Sequence, residues 1–187
     1  MGTREVQSYT NSPNNIIITP SWTLQITPCV NNGRWTSARI EGSIKFGAGR
    51  PESQMGIWPS FWILGADFRR DYNSWPEVGE VDIGESINGV PTVWQVVHCG
   101  VAPGGPCKEF EGISKQTPMS RGEFHTVALE IDRTNADRYW RGEKLTFFVD
   151  GRQTTVIDGN RINDETAWVA LTRGEKYLIA NVAVGGE

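Results

Sequence analysis

Residues Gly79 to Glu85 read G-E-V-D-I-G-E and carry three carboxylates, Glu80, Asp82 and Glu85. Glu80 and Asp82 are two apart, so on an extended strand they share a face. Glu85 lies three further on, which is the wrong parity: in a regular strand it points away from Asp82. A β-bulge near Ile83-Gly84 repairs the pattern, because one extra residue restores the face beyond it and Gly makes the insertion cheap. All three acids then project from one side, while Val81 and Ile83 point to the other, into apolar core.

Short β-rich runs recur on both sides of it: Asn15–Thr19, Trp22–Thr27, Ala38–Phe46, Ser60–Leu64, Thr92–His98, His125–Ile131, Leu145–Val149, Thr154–Ile157 and Tyr177–Val184. Turn signals separate them at Asn31–Gly33, Ile87–Gly89 and Asp150-Gly151. Helical periodicity is nearly absent, with one helical stretch expected near Asp164–Ala170. The rhythm is that of an all-β, antiparallel sandwich. No repeat, linker or low-complexity tract interrupts the 187 residues, so residues 1–187 read as one domain.

The totals exclude some partners. No run of 18 apolar residues exists, so no membrane-spanning helix is expected. The net charge is −4 and no Lys/Arg run appears, which argues against nucleic acid. Of the three cysteines, Cys99 and Cys107 bracket the loop-like G-V-A-P-G-G-P, and a disulfide closing it fits an oxidising compartment. Cys29 reads as a small buried residue. The cysteine spacing and the presence of only two His argue against zinc. Met1-Gly-Thr-Arg leads into polar sequence with no secretory signal. The chain is then intracellular, or its export segment was removed or not included.

The chemistry that wants a row of acids is glycoside hydrolysis. A retaining mechanism places two carboxyl groups roughly 5–5.5 Å apart across the scissile bond. Adjacent anions cannot all ionise cheaply, so at least one pKa rises and supplies a proton donor. The plainer alternative is a solvated acidic strand face or a cation site. Calcium is a weaker rival, since it needs six to eight oxygens and a folded loop.

Beyond the acidic stretch lie G-I-W-P-S-F-W-I-L-G (56–65), W-P-E-V-G-E (75–80), Q-V-V-H-C-G (95–100), L-T-F-F-V-D-G (145–151) and Y-L-I-A-N-V-A-V-G-G (177–186). In this order and along nearly the whole chain, they resemble glycoside hydrolase family 16, the laminarinase-type endo-1,3(4)-β-glucanases. The H-C-G…A-P-G-G-P-C segment is similar to fungal members in particular. The resemblance implies a concanavalin A-like β-jelly-roll with a concave sugar-binding groove. It implies Glu80 as nucleophile, Glu85 as general acid/base, and Asp82 between them, tuning the nucleophile. Trp62 and Trp75 match subsite tryptophans, whose indoles stack on the C–H face of a sugar. Trp58 is a third, with core packing as its alternative. Arg39 matches an Arg that reaches the groove, with a surface salt bridge as its alternative. His98 matches a His that faces the acids, with a buried structural role as its alternative; His125 reads as structural.

The implied activity is retaining hydrolysis of β-1,3 or mixed β-1,3/1,4 glucan by an extracellular monomer without cofactor. The alternatives are transglycosylation and a noncatalytic glucan-binding module. The family usually carries strands ahead of Glu5 and several beyond Glu187, including part of a structural calcium site. The resemblance therefore implies an incomplete domain.

Overall fold

The computed structural model describes residues 24–31, 34–134 and 139–185, with side chains from residue 37 onward. The expected strand Asn15–Thr19, the turn residues Asn32-Gly33 and the Cys29 thiol lie outside the described residues.

Among the described residues, ten strands form two antiparallel five-stranded sheets. The first, ordered β1-β2-β7-β8-β9, contains β1 (Leu24–Asn31), β2 (Arg34–Ile44), β7 (His125–Asp132), β8 (Lys144–Val149) and β9 (Arg152–Asp158). The second, ordered β10-β3-β4-β5-β6, contains β3 (Ile57–Gly65), β4 (Glu80–Glu85), β5 (Thr92–His98), β6 (Ile113–Pro118) and β10 (Lys176–Val184). Two helices, α1 (Gly159–Ile162) and α2 (Glu165–Thr172), connect β9 to β10. The Asp164 carboxylate accepts the Ala167 N–H at 3.0 Å and caps α2, which is the helical stretch the sequence leads one to expect.

The core lies between the sheets and follows the period of two. In β8 the apolar Leu145, Phe147 and Val149 are buried, whereas Lys144, Thr146 and Phe148 face outward or lie half-buried. Val127, Leu129 and Ile131 of β7 meet Phe61, Ile63, Val81, Ile83, Val93 and Val97 of the second sheet in the same core cluster. β4 and β7 are the central strands of their sheets and pack closely. A Cβ on Gly84 would sit 3.1 Å from a Val127 methyl and 3.3 Å from a Val93 methyl, tighter than ordinary packing, so Gly favours this close approach.

One strand escapes the sequence reading. β6 reads I-S-K-Q-T-P, with Ile113 its only buried residue, because it is an edge strand whose side chains mostly face solvent. Among the described tryptophans only Trp168 is fully buried, and its indole N–H donates to the buried Glu143 at 2.6 Å.

Candidate active site

The acidic stretch forms β4, and β4 is bulged. Against β3 the register passes from Phe61↔Gly84 to Trp62↔Asp82, leaving Ile83 as the extra residue. Against β5 it passes from Glu85↔Trp94 to Asp82↔Val96, so Ile83 and Gly84 together oppose Gln95. Val81 and Ile83 are wholly buried in the core, and Glu80, Asp82 and Glu85 occupy the sheet's outer face.

Register extends that face to the neighbouring strands, since directly paired residues share a side. Leu64, Trp62 and Ser60 of β3 lie beside Glu80, Asp82 and Glu85. His98, Val96 and Trp94 of β5 lie on their other flank. Tyr177, Ile179 and Asn181 of β10 continue the face beyond β3.

Each acid has its own partners. The Trp75 indole N–H, from the loop between β3 and β4, donates to Glu80 Oε2 at 3.2 Å. Trp58 Nε1 and Ser60 Oγ donate to Glu85 Oε1 at 3.1 and 3.2 Å. Asp82 is 3% exposed, and its Oδ2 makes no hydrogen bond, lying 3.6 Å from His98 Nε2. His98 Nδ1 lies 2.7 Å from Glu109 Oε2. Trp62 Nε1 donates to Asn181 Oδ1 at 2.8 Å. The Trp75 ring lies 5.6 Å from the His98 ring and 6.2 Å from that of Phe110, nearly parallel to the latter at 16°.

The electrostatics are those of crowded, shielded acids. Burial pushes Glu80 up to about 7, aided by Glu85 and Glu109 and opposed by His98 and the Trp75 N–H. Burial raises Asp82 well above the usual carboxylate range, with the charges of Glu85, Glu80 and Glu109 adding to it. Burial also raises Glu85, against the hydrogen bonds of Trp58 and Ser60 and the charge of His98. For His98 burial alone lowers the pKa, but the Glu109 hydrogen bond and the charges of Glu80, Glu109 and Glu85 leave it raised. Glu80, Asp82 and His98 each place a donor atom within 4.8 Å of the others, a set that could hold a metal ion. Protons held by the raised carboxyls relieve the same repulsion.

Seven of the eight residues singled out in the sequence therefore meet on one face: Glu80, Asp82, Glu85, Trp58, Trp62, Trp75 and His98. Arg39 does not, and the expectation that it reaches the groove is corrected. It belongs to β2 of the other sheet, where it pairs with Glu41 and, at 2.7 Å, with Glu130, and lies 4.8 Å over the Phe148 ring. The adjacent Ile40 packs against the core, so Arg39 must face outward on the far side of the sandwich. Cys99 and Cys107 are joined by a disulfide. Sequence reasoning missed Ser60, Glu109 and Phe110. Ser60 was within reach, being two residues from both Trp58 and Trp62. Glu109 and Phe110 carry no local signal in K-E-F-E.

No family model matches the chain. A β-glucanase from Rhodothermus marinus is 32% identical over 159 residues, which is 81% of this chain and 49% of that protein. A β-1,3-glucan-binding protein from Penaeus monodon is 28% identical over 155 residues, 70% of this chain and 39% of that protein. The chain spans about half the length, or less, of the curated relatives it matches. The crystal structure of an endo-1,3-β-glucanase from Streptomyces sioyaensis superposes with a TM-score of 0.78 at 35% identity, covering 100% of this chain and 73% of that one. With that likeness in both sequence and fold, the chain belongs to glycoside hydrolase family 16, in its laminarinase-type branch, and is built as that branch's β-sandwich jelly roll.

Proposed function

We propose that this chain carries the active centre of a retaining endo-β-glucanase that cleaves β-1,3 or mixed β-1,3/1,4 glucan. The observation that carries the reading is the bulge, which turns Glu80, Asp82 and Glu85 to one face beside indoles that can stack on sugar. In the first step a Glu80 oxygen attacks the anomeric carbon and the glycosidic C–O bond breaks. Glu85 gives its proton to the departing oxygen. In the second step Glu85 takes a proton from water, whose oxygen displaces Glu80 and restores the β configuration.

The hydrogen bonds divide this work. Trp75 supports the ionised form of Glu80, while Trp58 and Ser60 aim Glu85. Burial and the neighbouring acids hold Asp82 well above the usual carboxylate range, which disfavours a third negative charge beside Glu80 and Glu85. The rise on Glu80 has burial as its first cause, and the charge of Glu85 adds to it. The Rhodothermus and Streptomyces glucanases support the glucan substrate. The Cys99–Cys107 disulfide supports an extracellular or otherwise oxidising location.

The experiment is reducing-end release from laminarin, lichenan, xyloglucan, agarose and chitin, with product analysis to separate hydrolysis from transglycosylation. Hydrolysis of laminarin or lichenan is expected. Glu80→Gln is expected to abolish it, and Glu85→Gln to slow it by about 10²–10⁴-fold, least on substrates with good leaving groups. A 2-fluoro glucoside trap is expected to label Glu80; a label on Glu85 reverses the two roles. The likeness to the Penaeus glucan-binding protein keeps a noncatalytic binder as the second reading. Binding to insoluble β-1,3-glucan without release of reducing sugar would decide for it.

A further inference from the structure

Glu109 has no part in the steps above, yet its side chain is completely shielded from solvent. It lies in the connection between β5 and β6, within the loop that the Cys99–Cys107 disulfide staples to the end of β5. Gly104 and Glu109 exchange backbone hydrogen bonds across that loop, holding its two limbs together. Both carboxylate oxygens are engaged. Oε1 accepts the Cys99 N–H at 2.8 Å, and Oε2 meets His98 Nδ1 at 2.7 Å. Removing a carboxylate from water is costly, so a carboxylate placed here needs both partners.

This arrangement dictates the state of His98. An imidazole nitrogen that faces a carboxylate must carry the proton. Nδ1 is therefore the N–H, and Nε2 is turned to Asp82 Oδ2, 3.6 Å away. The backbone of the same loop also comes close to the ring. A Cβ on Gly112, at the end of the same loop, would lie only 2.8 Å from His98 Cε1, so the backbone presses directly on the ring.

We propose that Glu109 is a positioning residue that keeps the His98 proton on Nδ1 and presents Nε2 to Asp82 as the exchangeable position of the acid cluster. The proposal rests on the glucanase reading. The groups that face His98 are Glu80, Asp82, Glu85 and Glu109. A proton taken up at Nε2 from the acids it faces makes a carboxylate and an imidazolium side by side, with no net change in charge. The cluster can thus readjust as the charge on Glu80 is consumed in the first step and restored in the second. The disulfide contributes by fixing the loop on which Glu109 rides.

The test exploits the presence of only two histidines, His98 and His125. Nitrogen NMR of isotope-labelled histidine reads both tautomers directly. In the unmutated protein, neutral His98 is expected in the Nδ1–H form. In Glu109→Gln the amide oxygen must stay on the Cys99 N–H, which leaves its NH₂ on Nδ1, so the proton moves to Nε2. His98 is then expected to titrate lower, because the hydrogen bond and charge of Glu109 are among the causes that raise it. The value of kcat should fall by about tenfold or more with KM within about twofold, by analogy with other His–carboxylate pairs. His125 signals should not move. A double variant with His98→Asn should be no slower than His98→Asn alone.

An Nε2–H tautomer in the unmutated protein overturns the proposal, and that spectrum decides the matter even if Glu109→Gln fails to fold. A folded Glu109→Gln with unchanged His98 signals and only a lower melting temperature overturns it equally. A chain inert on every glucan, with His98 still in the Nδ1–H form, overturns the glucanase reading and leaves this arrangement standing.

Discussion

Gln95 Nε2 donates to the Ile83 carbonyl at 3.2 Å and to the Phe148 carbonyl of the opposite sheet, also at 3.2 Å. The first of these is the carbonyl of the extra residue in the β4 bulge. The second lies at a register shift between β8 and β9, and Thr154, the residue skipped there, donates its hydroxyl to Gln95 Oε1. One buried amide therefore ties two irregular strands together where their registers shift. Gln95→Ala is expected to cost about 2–4 kcal/mol, since two buried carbonyls lose a donor and a cavity opens. Urea denaturation measures it; a loss below about 0.5 kcal/mol would show that the bulge holds without this clamp.

The acid cluster makes stability depend on pH in a definite direction. Glu80 stands at about 7 in the fold against its ordinary 4.5, so the folded chain holds this proton more tightly than the unfolded one. The resulting stability is complete below about pH 4.5 and is lost as pH rises through about 7. Asp82, Glu85 and His98 are raised as well and act in the same sense. Unfolding free energy is expected to fall from about pH 5 to about pH 8, by on the order of 3 kcal/mol from Glu80 alone. Glu80→Gln should flatten much of that slope in melting experiments across pH. Stability that rises over this window contradicts the arrangement.

Trp75→Phe keeps a ring but removes the N–H that supports ionised Glu80. Glu80 should then hold its proton to higher pH. With Glu80 as nucleophile, the acidic limb of kcat/KM is expected to move up by as much as about one unit. Trp58→Phe should instead move the alkaline limb up, because it removes a donor to Glu85. If Trp75→Phe moves the alkaline limb, the two glutamates have exchanged roles.

Arg39→Ala is expected to leave KM for laminarin within about twofold. Its ion pairs lie on the other sheet and are partly exposed, so the stability cost should stay near 1 kcal/mol or less. A KM increase of tenfold would return Arg39 to the substrate.

Much of the site was legible because strand geometry is local. A broken alternation in G-E-V-D-I-G-E called for one extra residue beside Gly84, and the register places it there. The same parity placed Trp58 with Trp62, and His98 with Val96 and Trp94. Edge strand β6 was not legible, since exposure on both faces erases the alternation that marks a strand.

What the amino-acid order determined by itself was therefore which side chains within one strand share a side, and where that rule had to break. The tertiary structure alone decided which strands became neighbours. Arg39 faces outward as its parity requires, but on the wrong sheet for a groove residue, because nothing local in a strand names its partner. Glu109 and Gln95 acquire their roles only when a stapled loop folds back and two sheets close. Burial then forbids either group to remain without hydrogen bonds, and the partners that meet the requirement come from distant parts of the chain.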